Sequence, residues 1–287
     1  MPEMPEVESL ARFLTDKCVG RVIARIDLAA FSALKTYDPP PSAMYGLEIE
    51  SVTRRGKFLD ISAQGLHLVF HLARAGWLRW KDAQPAAPAR PGKGPLALRL
   101  VLDDDSGFDL TEAGTQRKLA VYVVADPMSI PMVATLGPDP LSPDFDQAAL
   151  AALLARAGRS QIKGVLKDQR TIAGIGNAYS DEILHAAKLS PFKPSSSLTE
   201  TELTTLYASI QIELRGAIQR AEGLAAKDLK GEKKSGLRVH GRKGEPCEVC
   251  GDTIAEVSFA DSALQYCPTC QTGGKKLADR RLSRLLK

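Results

Sequence analysis

The chain has 287 residues, of which 44% are hydrophobic and 25% charged, a composition typical of folded globular proteins and not of disordered chains. No stretch approaches the roughly 18 consecutive apolar residues of a membrane helix, and the N-terminus is acidic where a signal peptide is basic and then apolar, so we expect no membrane partner. The formal net charge of +4 is too small to identify a polyanionic partner, so the distribution of the charges must be considered.

The first three residues have a chemical interpretation. Met1 precedes a small residue, and its removal would free the secondary amine of Pro2. Such an amine can attack the anomeric carbon of a deoxyribose, displace the base and form a Schiff base that permits β-elimination of the 3′ phosphate. Glu3 would then shuttle protons to the opening sugar ring. Taken alone, Pro and Glu at these positions also suit an ordinary helix start.

Residues 1–130 are predicted to form an N-terminal β-sandwich domain that opens with one helix. Apolar residues recur at helical spacing after a run of glutamates, at Val7, Leu10, Ala11 and Leu14. Short apolar runs separated by Gly, Pro and Asp indicate the strands of a sandwich or barrel, at 21–28, 57–61, 66–72, 96–102 and 119–124. Residues 84–94, rich in Pro, Ala and Gly, are predicted to form an exposed loop.

The pattern then changes to helical. Residues 131–148 are predicted to be a linker, and residues 149–223 a helical domain. The expected helices span 149–157, 162–167, 177–187 and 199–221. Between the second and third of these, Gly174 and Gly176 would allow the backbone to approach a phosphate closely, and Asn177 is expected both to donate to that phosphate and to cap the next helix.

Basic residues concentrate late in the chain. Residues 224–245, predicted to be a basic loop, contain seven basic residues against three acidic ones. A predicted basic tail at 274–287 adds six more, among them Arg280, Arg281 and Arg284. These stretches have two interpretations: they bind a polyanion such as DNA, or they are a solvated linker and tail.

Four of the five cysteines form a pattern typical of a zinc finger at residues 246–273. They are arranged as Cys247-x2-Cys250-x16-Cys267-x2-Cys270, and paired knuckles of this kind close tetrahedrally on one Zn²⁺. The site has no open coordination position, so the zinc is predicted to be structural. Cys18 is left over and is expected to be buried.

Seven segments, in chain order, carry a resemblance to a known family. They are residues 2–8 (PEMPEVE), 55–59 (RGKFL), 71–76 (HLARAG), 136–141 (LGPDPL), 174–182 (GIGNAYSDE), 241–247 (GRKGEPC) and 266–271 (YCPTCQ). The order, the spacing and the chemistry of these segments resemble those of the formamidopyrimidine-DNA glycosylase/endonuclease VIII family. The resemblance implies an α+β multidomain fold with an N-terminal β-sandwich, a helix-two-turn-helix domain and a C-terminal zinc finger.

The resemblance also implies roles for individual residues. Pro2, Glu3 and Lys57 match catalytic positions, and Lys57 and Lys163 match positions that contact phosphates near the lesion. Asn177 matches a further DNA-binding position. The four histidines form no ligand or triad pattern; we interpret them as structural, with His71 close to DNA.

The sequence departs from the family where the duplex gap is filled after a nucleotide is flipped out. The family uses a Met, an Arg and a Phe; here Arg74 takes the Met position and Lys118 the Phe position, so that only Arg117 is retained. Ser262 takes the position of the Arg with which the family's finger reaches the DNA backbone. We expect Arg74 and Arg117 to contact DNA. These departures leave open the preferred lesion, the opposite base, and whether elimination continues to the 5′ side.

The resemblance therefore predicts a bifunctional DNA glycosylase/AP lyase that acts as a monomer on damaged double-stranded DNA, in the cytoplasm and associated with the nucleoid. Two alternatives stay open on the sequence. One is an AP lyase with little glycosylase activity, and the other is a noncatalytic protein that binds damaged DNA.

Overall fold

The computed structural model describes residues 1–114, 116–259 and 262–278. The chain divides into two compact units. The first consists of Met1–Thr135 and Arg220–Glu232, and the second of Leu136–Gln219 and Lys233–Lys287. The first change of unit, between Thr135 and Leu136, falls inside the segment predicted to be a linker. The predicted tail residues Arg280, Arg281, Arg284 and Lys287 lie outside the described residues.

The first unit opens with helix α1, Met4–Cys18. Pro5 is tolerated in the first turn because the N–H groups there have no partner within the helix, so the missing N–H of proline costs no hydrogen bond. The Glu6 carboxylate accepts a hydrogen bond from the Glu3 N–H at 2.8 Å. One face is buried, as the apolar spacing predicted. Cys18 is fully buried at the end of this face, and its burial raises the pKa of its thiol to about 12, which keeps the thiol neutral.

Two four-stranded antiparallel sheets form the predicted β-sandwich. One has the strand order β1-β6-β7-β5, and the other β2-β3-β4-β8. The strands are β1 (Ile23–Leu28), β2 (Ser51–Arg55), β3 (Phe58–Ala63), β4 (Leu66–His71), β5 (Gly76–Lys81), β6 (Leu96–Leu102), β7 (Gly107–Glu112) and β8 (Ala120–Val124). Buried residues of both sheets and of α1 share one hydrophobic core.

The sequence interpretation did not identify β2, β5 and β7, because charged residues interrupt their apolar pattern. In the structure the charge of Asp109 on β7 is neutralised within the sheet. Asp109 of β7 accepts two hydrogen bonds from Arg99, at 2.8 and 3.1 Å, and pairs with Lys81 at 2.8 Å. Buried charges are tolerated when they are paired in this way, so a polar sequence can still form a central strand.

Residues 220–232 cluster with the first unit although they lie far along the chain. Ala221, Ala226 and Leu229 enter its hydrophobic core, and the Trp77 indole N–H donates to the Ala226 carbonyl at 3.0 Å. The structure also corrects the description of residues 224–245 as a loop, since helix α7 spans Leu229–Gly236. The short helix α2, Pro131–Ala134, closes the N-terminal part of the unit.

The second unit contains the predicted helices and the finger. The helices are α3 (Gln147–Ala157), α4 (Ile162–Lys167), α5 (Asn177–Ala186) and α6 (Glu200–Arg220). The finger consists of a hairpin of β9 (Ala255–Ser258) and β10 (Ala263–Tyr266), followed by the short helix α8 (Pro268–Thr272). Among the described residues, no helix combines the length and apolarity needed to cross a bilayer.

Candidate functional site

Pro2 and Glu3 lie buried at the N-terminal end of α1. Glu3 is only 3% exposed and is the N-cap residue of the helix. The partial positive charge of a helix N-terminus stabilises a carboxylate at this position. The structure contains Met1, so the Pro2 nitrogen is here part of a peptide bond. The predicted nucleophile and proton shuttle are therefore neighbours in a protected position.

A single arginine connects α1 to the turn that carries Lys57. Arg54 of β2 pairs with Glu8 of α1 at 2.9 Å and donates to the Gly56 carbonyl at 3.3 Å. Gly56 has φ +57°, a left-handed conformation that glycine adopts without the penalty of a Cβ. This tight turn between β2 and β3 holds Lys57, which is only 7% exposed.

His71 lies at the end of β4, paired in register with Phe58 and packed against its ring at a centroid distance of 4.8 Å. Burial, followed by the positive charge of Lys57, lowers the pKa of His71 to about 4. The imidazole is therefore neutral at pH 7, and its Nδ1 accepts a hydrogen bond from the Ala73 N–H at 3.2 Å. Lys57 and His71 thus belong to one electrostatic cluster, although they are 14 positions apart in the sequence.

We expect His71 to make folding stability sensitive to acid. Its folded pKa is about 4, below the ordinary 6.5, so the contribution of neutral His71 is fully present above pH 6.5 and is lost as the pH falls through 4. The loss amounts to at most about 3 kcal/mol. Urea unfolding of wild type and His71→Gln at pH 7 and pH 4.5 measures it. The variant should lose less stability between these values than the wild type, and equal losses would contradict the assignment.

Arg74 and Arg117 occupy two loops of the first unit. Arg74 is exposed in the turn between β4 and β5, where the Gly76 N–H donates to the Leu72 carbonyl at 2.9 Å. A Cβ on Gly76 would lie 2.1 Å from that carbonyl oxygen, so this turn requires glycine. Arg117 is also exposed, and its guanidinium donates to the Lys93 carbonyl at 2.6 Å.

The turn before α5 is organised by Gln169. Its side-chain amide donates to the Ile175 carbonyl at 2.7 Å and accepts from the Gly174 N–H at 2.9 Å. Gly174 has φ +91°, as a close backbone approach would require. The expectation that Asn177 caps α5 is wrong. Gly176 is the N-cap and Asn177 the first helical residue, with its side-chain amide donating instead to the Ala263 carbonyl of the finger at 2.7 Å.

Lys163 lies in a buried polar network. It is 6% exposed, and its ammonium donates to the Asn177 carbonyl at 3.0 Å, the Ser180 hydroxyl at 2.8 Å and the Asp181 carboxylate at 2.6 Å. The second oxygen of Asp181 accepts from His240 at 2.7 Å. The ammonium therefore holds α4 against α5, a contribution to structure that sequence matching did not reveal.

A cavity of about 370 Å³ in the second unit brings together residues that the sequence interpretation had treated separately. Lys163, Asn177 and Ser262 all line it. Lys167 also lines this cavity and was missed. The signal was available, because Lys167 follows Lys163 by four residues and such residues share one face of a helix. The side-chain oxygen of Asn177 is buried without a hydrogen-bond partner among the described residues.

The four cysteines of the finger are placed to bind a single metal ion. Their sulfur atoms all lie within 4.8 Å of one another, and tetrahedral zinc with bonds of about 2.3 Å needs sulfurs about 3.8 Å apart. Burial raises the pKa of Cys270 to about 11 and raises that of Cys267 further. Without a metal, the neutral thiols of Cys267 and Cys270 would gain little stability from lying so close to the other two sulfurs. Zn²⁺ binds thiolates and favours their deprotonation. The donor set therefore fits the predicted structural zinc.

Several side chains attach the finger to α5 and its surroundings, and Asn177, His185 and Gln271 are three of them. Asn177 donates to Ala263, His185 of α5 lies 3.3 Å from the Cys247 sulfur, and Gln271 of α8 donates to the Leu189 carbonyl at 2.9 Å. Burial, followed by the charge of Arg238, lowers the pKa of His185 to about 4. A neutral imidazole thus packs beside the cysteine cluster.

Three family models match successive parts of the chain. The formamidopyrimidine-DNA glycosylase N-terminal domain matches residues 1–119, the H2TH domain of the same enzymes matches 136–228, and the zinc finger found in FPG and IleRS matches 244–273. Together they include the Pro2–Glu3 start, the turn before α5 and the four cysteines.

Full-length relatives and solved structures agree with these matches. The formamidopyrimidine-DNA glycosylase of Symbiobacterium thermophilum is 36% identical over 98% of this chain and 93% of its own length. An uncharacterized formamidopyrimidine-DNA glycosylase-like protein of Mycobacterium tuberculosis is 59% identical over 55% of this chain and 98% of its own length. The Lactococcus lactis enzyme, solved non-covalently bound to DNA containing an AP site, superposes with a TM-score of 0.81 at 27% identity, covering 94% of this chain and 99% of that one. The chain belongs to the formamidopyrimidine-DNA glycosylase family.

Proposed function

We propose that this protein is a base-excision repair enzyme that removes damaged bases from double-stranded DNA and cleaves the resulting abasic site. The observation that carries the proposal is the buried Pro2–Glu3 pair at the start of α1, in a chain of this family. A protein that only bound DNA would have no use for a potential amine nucleophile beside a protected carboxylic acid. Damaged DNA is also the ligand in solved structures of relatives, including one with DNA that contains a carbocyclic 8-oxo-G.

The chemistry begins once Met1 has been removed. The Pro2 nitrogen attacks C1′ of the damaged nucleotide, the bond from C1′ to the base breaks, and the base leaves with a proton. The Glu3 carboxylate takes the proton that the attacking Pro2 nitrogen releases and passes it to the ring oxygen as the sugar opens, which yields an iminium ion between Pro2 and C1′. Loss of a C2′ proton then expels the 3′ phosphate. Water finally hydrolyses the iminium and regenerates the amine.

Other residues bind and orient the DNA in this proposal. The Lys57 ammonium, held by its tight turn, contacts a phosphate near the lesion. Asn177 and Lys167 contact the DNA backbone at the cavity of the second unit. Lys167 provides there the positive charge that is missing because Ser262 takes the position of the family's arginine. The Lys163 ammonium helps to position Asn177 by donating a hydrogen bond to the Asn177 backbone carbonyl. We further propose that the enzyme acts as a monomer in the cytoplasm, associated with the nucleoid.

Borohydride trapping tests the proposal. Reduction of the iminium leaves a stable covalent adduct between the protein and an oligonucleotide, and mass spectrometry of the digested adduct should locate it on Pro2. Parallel reactions with a lesion duplex and with a bare abasic duplex separate the alternatives. Trapping on both supports the bifunctional enzyme, trapping on the abasic duplex alone indicates a lyase with little glycosylase activity, and no trapping on either would overturn the proposal.

Arg74 is expected to fill the duplex gap after the nucleotide is flipped out. A guanidinium plane stacked on a base contributes about 1–3 kcal/mol, so Arg74→Ala should slow excision from duplex DNA by about tenfold or more. Cleavage of a single-stranded abasic substrate should change little, because it has no gap to fill. Single-turnover rates at matched salt measure both, and Arg74→Met should recover part of the duplex rate. Equal losses on the two substrates would instead indicate a phosphate contact.

A further inference from the structure

A second cavity lies within the first unit, away from the Pro2–Glu3 pair. Its volume is about 730 Å³. We call it the tryptophan groove; its lining includes Phe13, Lys17, Trp77, Arg79, Trp80 and Lys230. Phe13 follows Glu3 by ten positions along α1, which corresponds to about 15 Å of helix. The proposed excision chemistry therefore does not use this groove.

Aromatic rings form its walls and are held in place. Phe13 packs edge-on against Trp80, with centroids 5.8 Å apart and an angle of 82° between the planes. The Trp80 indole N–H donates to Asp82 at 2.9 Å, and the indole of Trp77 is anchored to the Ala226 carbonyl at 3.0 Å. Because the rings are fixed and Trp80 is half-buried, a flat aromatic ligand would meet a preformed surface.

The groove has an excess of positive charge. Lys17, Arg79, Lys227 and Lys230 line it, and Asp82 is the one carboxylate among the lining residues. None of the four cations forms an ion pair within the described part of the chain. Two of them lie over rings, with the Lys230 ammonium 4.5 Å from the Trp77 ring centroid and the Lys17 ammonium 5.8 Å from that of Trp80. Burial, followed by the charge of Arg79, lowers the pKa of Lys230.

An anion in the groove would relieve this repulsion, and the rings beside the cations select an anion that is also aromatic. We propose that the tryptophan groove binds a nucleotide, with its base against Trp80 and Phe13 and its phosphate among Lys17, Arg79 and Lys230. A nucleotide combines a flat π surface with a compact negative charge a few ångströms away, which matches this arrangement. An acidic peptide lacks the flat surface. The nucleotide is either free or an unpaired residue of a DNA strand, and both present the same chemistry.

The composition of the chain supplies a specific probe. The protein has two tryptophans, Trp77 and Trp80, and both line the groove. Tryptophan fluorescence therefore reports on this groove alone. Titration with deoxyadenosine monophosphate should give saturable quenching. Deoxyadenosine, which lacks the phosphate, should bind about tenfold more weakly, because charge-assisted contacts to phosphate are lost.

Charge variants test the placement of the phosphate. Arg79→Gln and Lys230→Gln should each weaken binding of the monophosphate about tenfold, and added salt should reduce the difference from wild type. Lys234→Gln is the matched control, since it removes the same charge from α7 at a position outside the groove lining, and it should leave the affinity unchanged. Thermal unfolding of each variant verifies that the fold is retained.

A short single-stranded oligodeoxyadenylate distinguishes the two sources. If the oligonucleotide binds with about the same affinity per site as the monophosphate, the ligand is a free nucleotide. If the oligonucleotide binds at least about tenfold more tightly, the ligand is a residue of a DNA strand. The proposal would be overturned if neither compound quenched the wild type saturably, or if Arg79→Gln and Lys230→Gln bound as tightly as Lys234→Gln. Neither result bears on the Pro2 chemistry, which borohydride trapping tests separately.

Discussion

Protein that retains Met1 is expected to show no base excision and no strand cleavage through a Schiff base. The reason is chemical, because the Pro2 nitrogen in a peptide bond has no nucleophilic lone pair. Glu3→Gln should also abolish excision, with a loss of about 10²- to 10⁴-fold, since an amide cannot deliver a proton to the opening sugar. Pro2→Gly should weaken the reaction less than Glu3→Gln, because a primary amine remains. Single-turnover cleavage of a lesion duplex measures all three, after mass spectrometry has established the N-terminus.

Binding and catalysis separate in the same experiment. The affinity of Glu3→Gln for duplex DNA should stay close to that of the wild type, since Glu3 serves the chemistry more than the affinity. Asp16→Asn is a suitable control, because it removes a carboxylate from an exposed position on the same helix. Complete strand cleavage by a preparation shown to keep Met1 would refute the assignment of Pro2 as nucleophile.

The second large effect is expected from loss of the metal. Cys267→Ala should reduce the zinc content from one ion per chain to nearly none and unfold the finger. The finger has two small hydrophobic clusters, one of Val239, Cys247, Ile254 and Cys267 and one of Val257, Leu264 and Tyr266. Structural zinc, by comparison, supplies about 10–16 kcal/mol to finger peptides. Because the finger carbonyl of Ala263 also orients Asn177, affinity for duplex DNA should fall by about tenfold or more.

Elemental analysis and a filter-binding titration measure these two quantities. Cys18→Ala provides the control, since it removes a buried thiol from the hydrophobic core of the first unit and should retain one zinc per chain. Its cost should be limited to stability, at about 1 kcal/mol for a small cavity. Freshly purified, active protein without zinc would disprove the structural role of the metal.

The sequence predicted the elements whose signals are local. The helix expected at 162–167 is α4, Ile162–Lys167, and the spacing of the four cysteines anticipated their cluster. The sequence could not show contacts between distant positions. Trp77 and Ala226 are 149 positions apart, and their hydrogen bond helps to fix residues 220–232 on the first unit.

The site was predicted with the same limit. Family matching identified Lys163 and Asn177 but not their partners, and these partners determine what the side chains do. Asn177 lost its expected cap role because the Ala263 carbonyl accepts its amide instead. Lys163 was matched as a phosphate contact, and its ammonium also pairs with the buried carboxylate of Asp181 at 2.6 Å. Neither partner is adjacent in sequence, so no local pattern reports it.

The shared carboxylate of Asp181 has a consequence for protein engineering. Its two oxygens accept from Lys163 on α4, from His240 ahead of the finger, and from the Gln265 N–H on β10 at 3.2 Å. A finger grafted from a relative would therefore bring its own β10 and its own partner for this carboxylate. Such a chimera keeps the pair of Lys163 and Asp181, but a β10 strand that is shifted in position would leave the buried carboxylate without the Gln265 N–H, at a cost of about 1–3 kcal/mol. We therefore expect a finger to be exchanged with less loss of stability when it is moved together with α4 and α5.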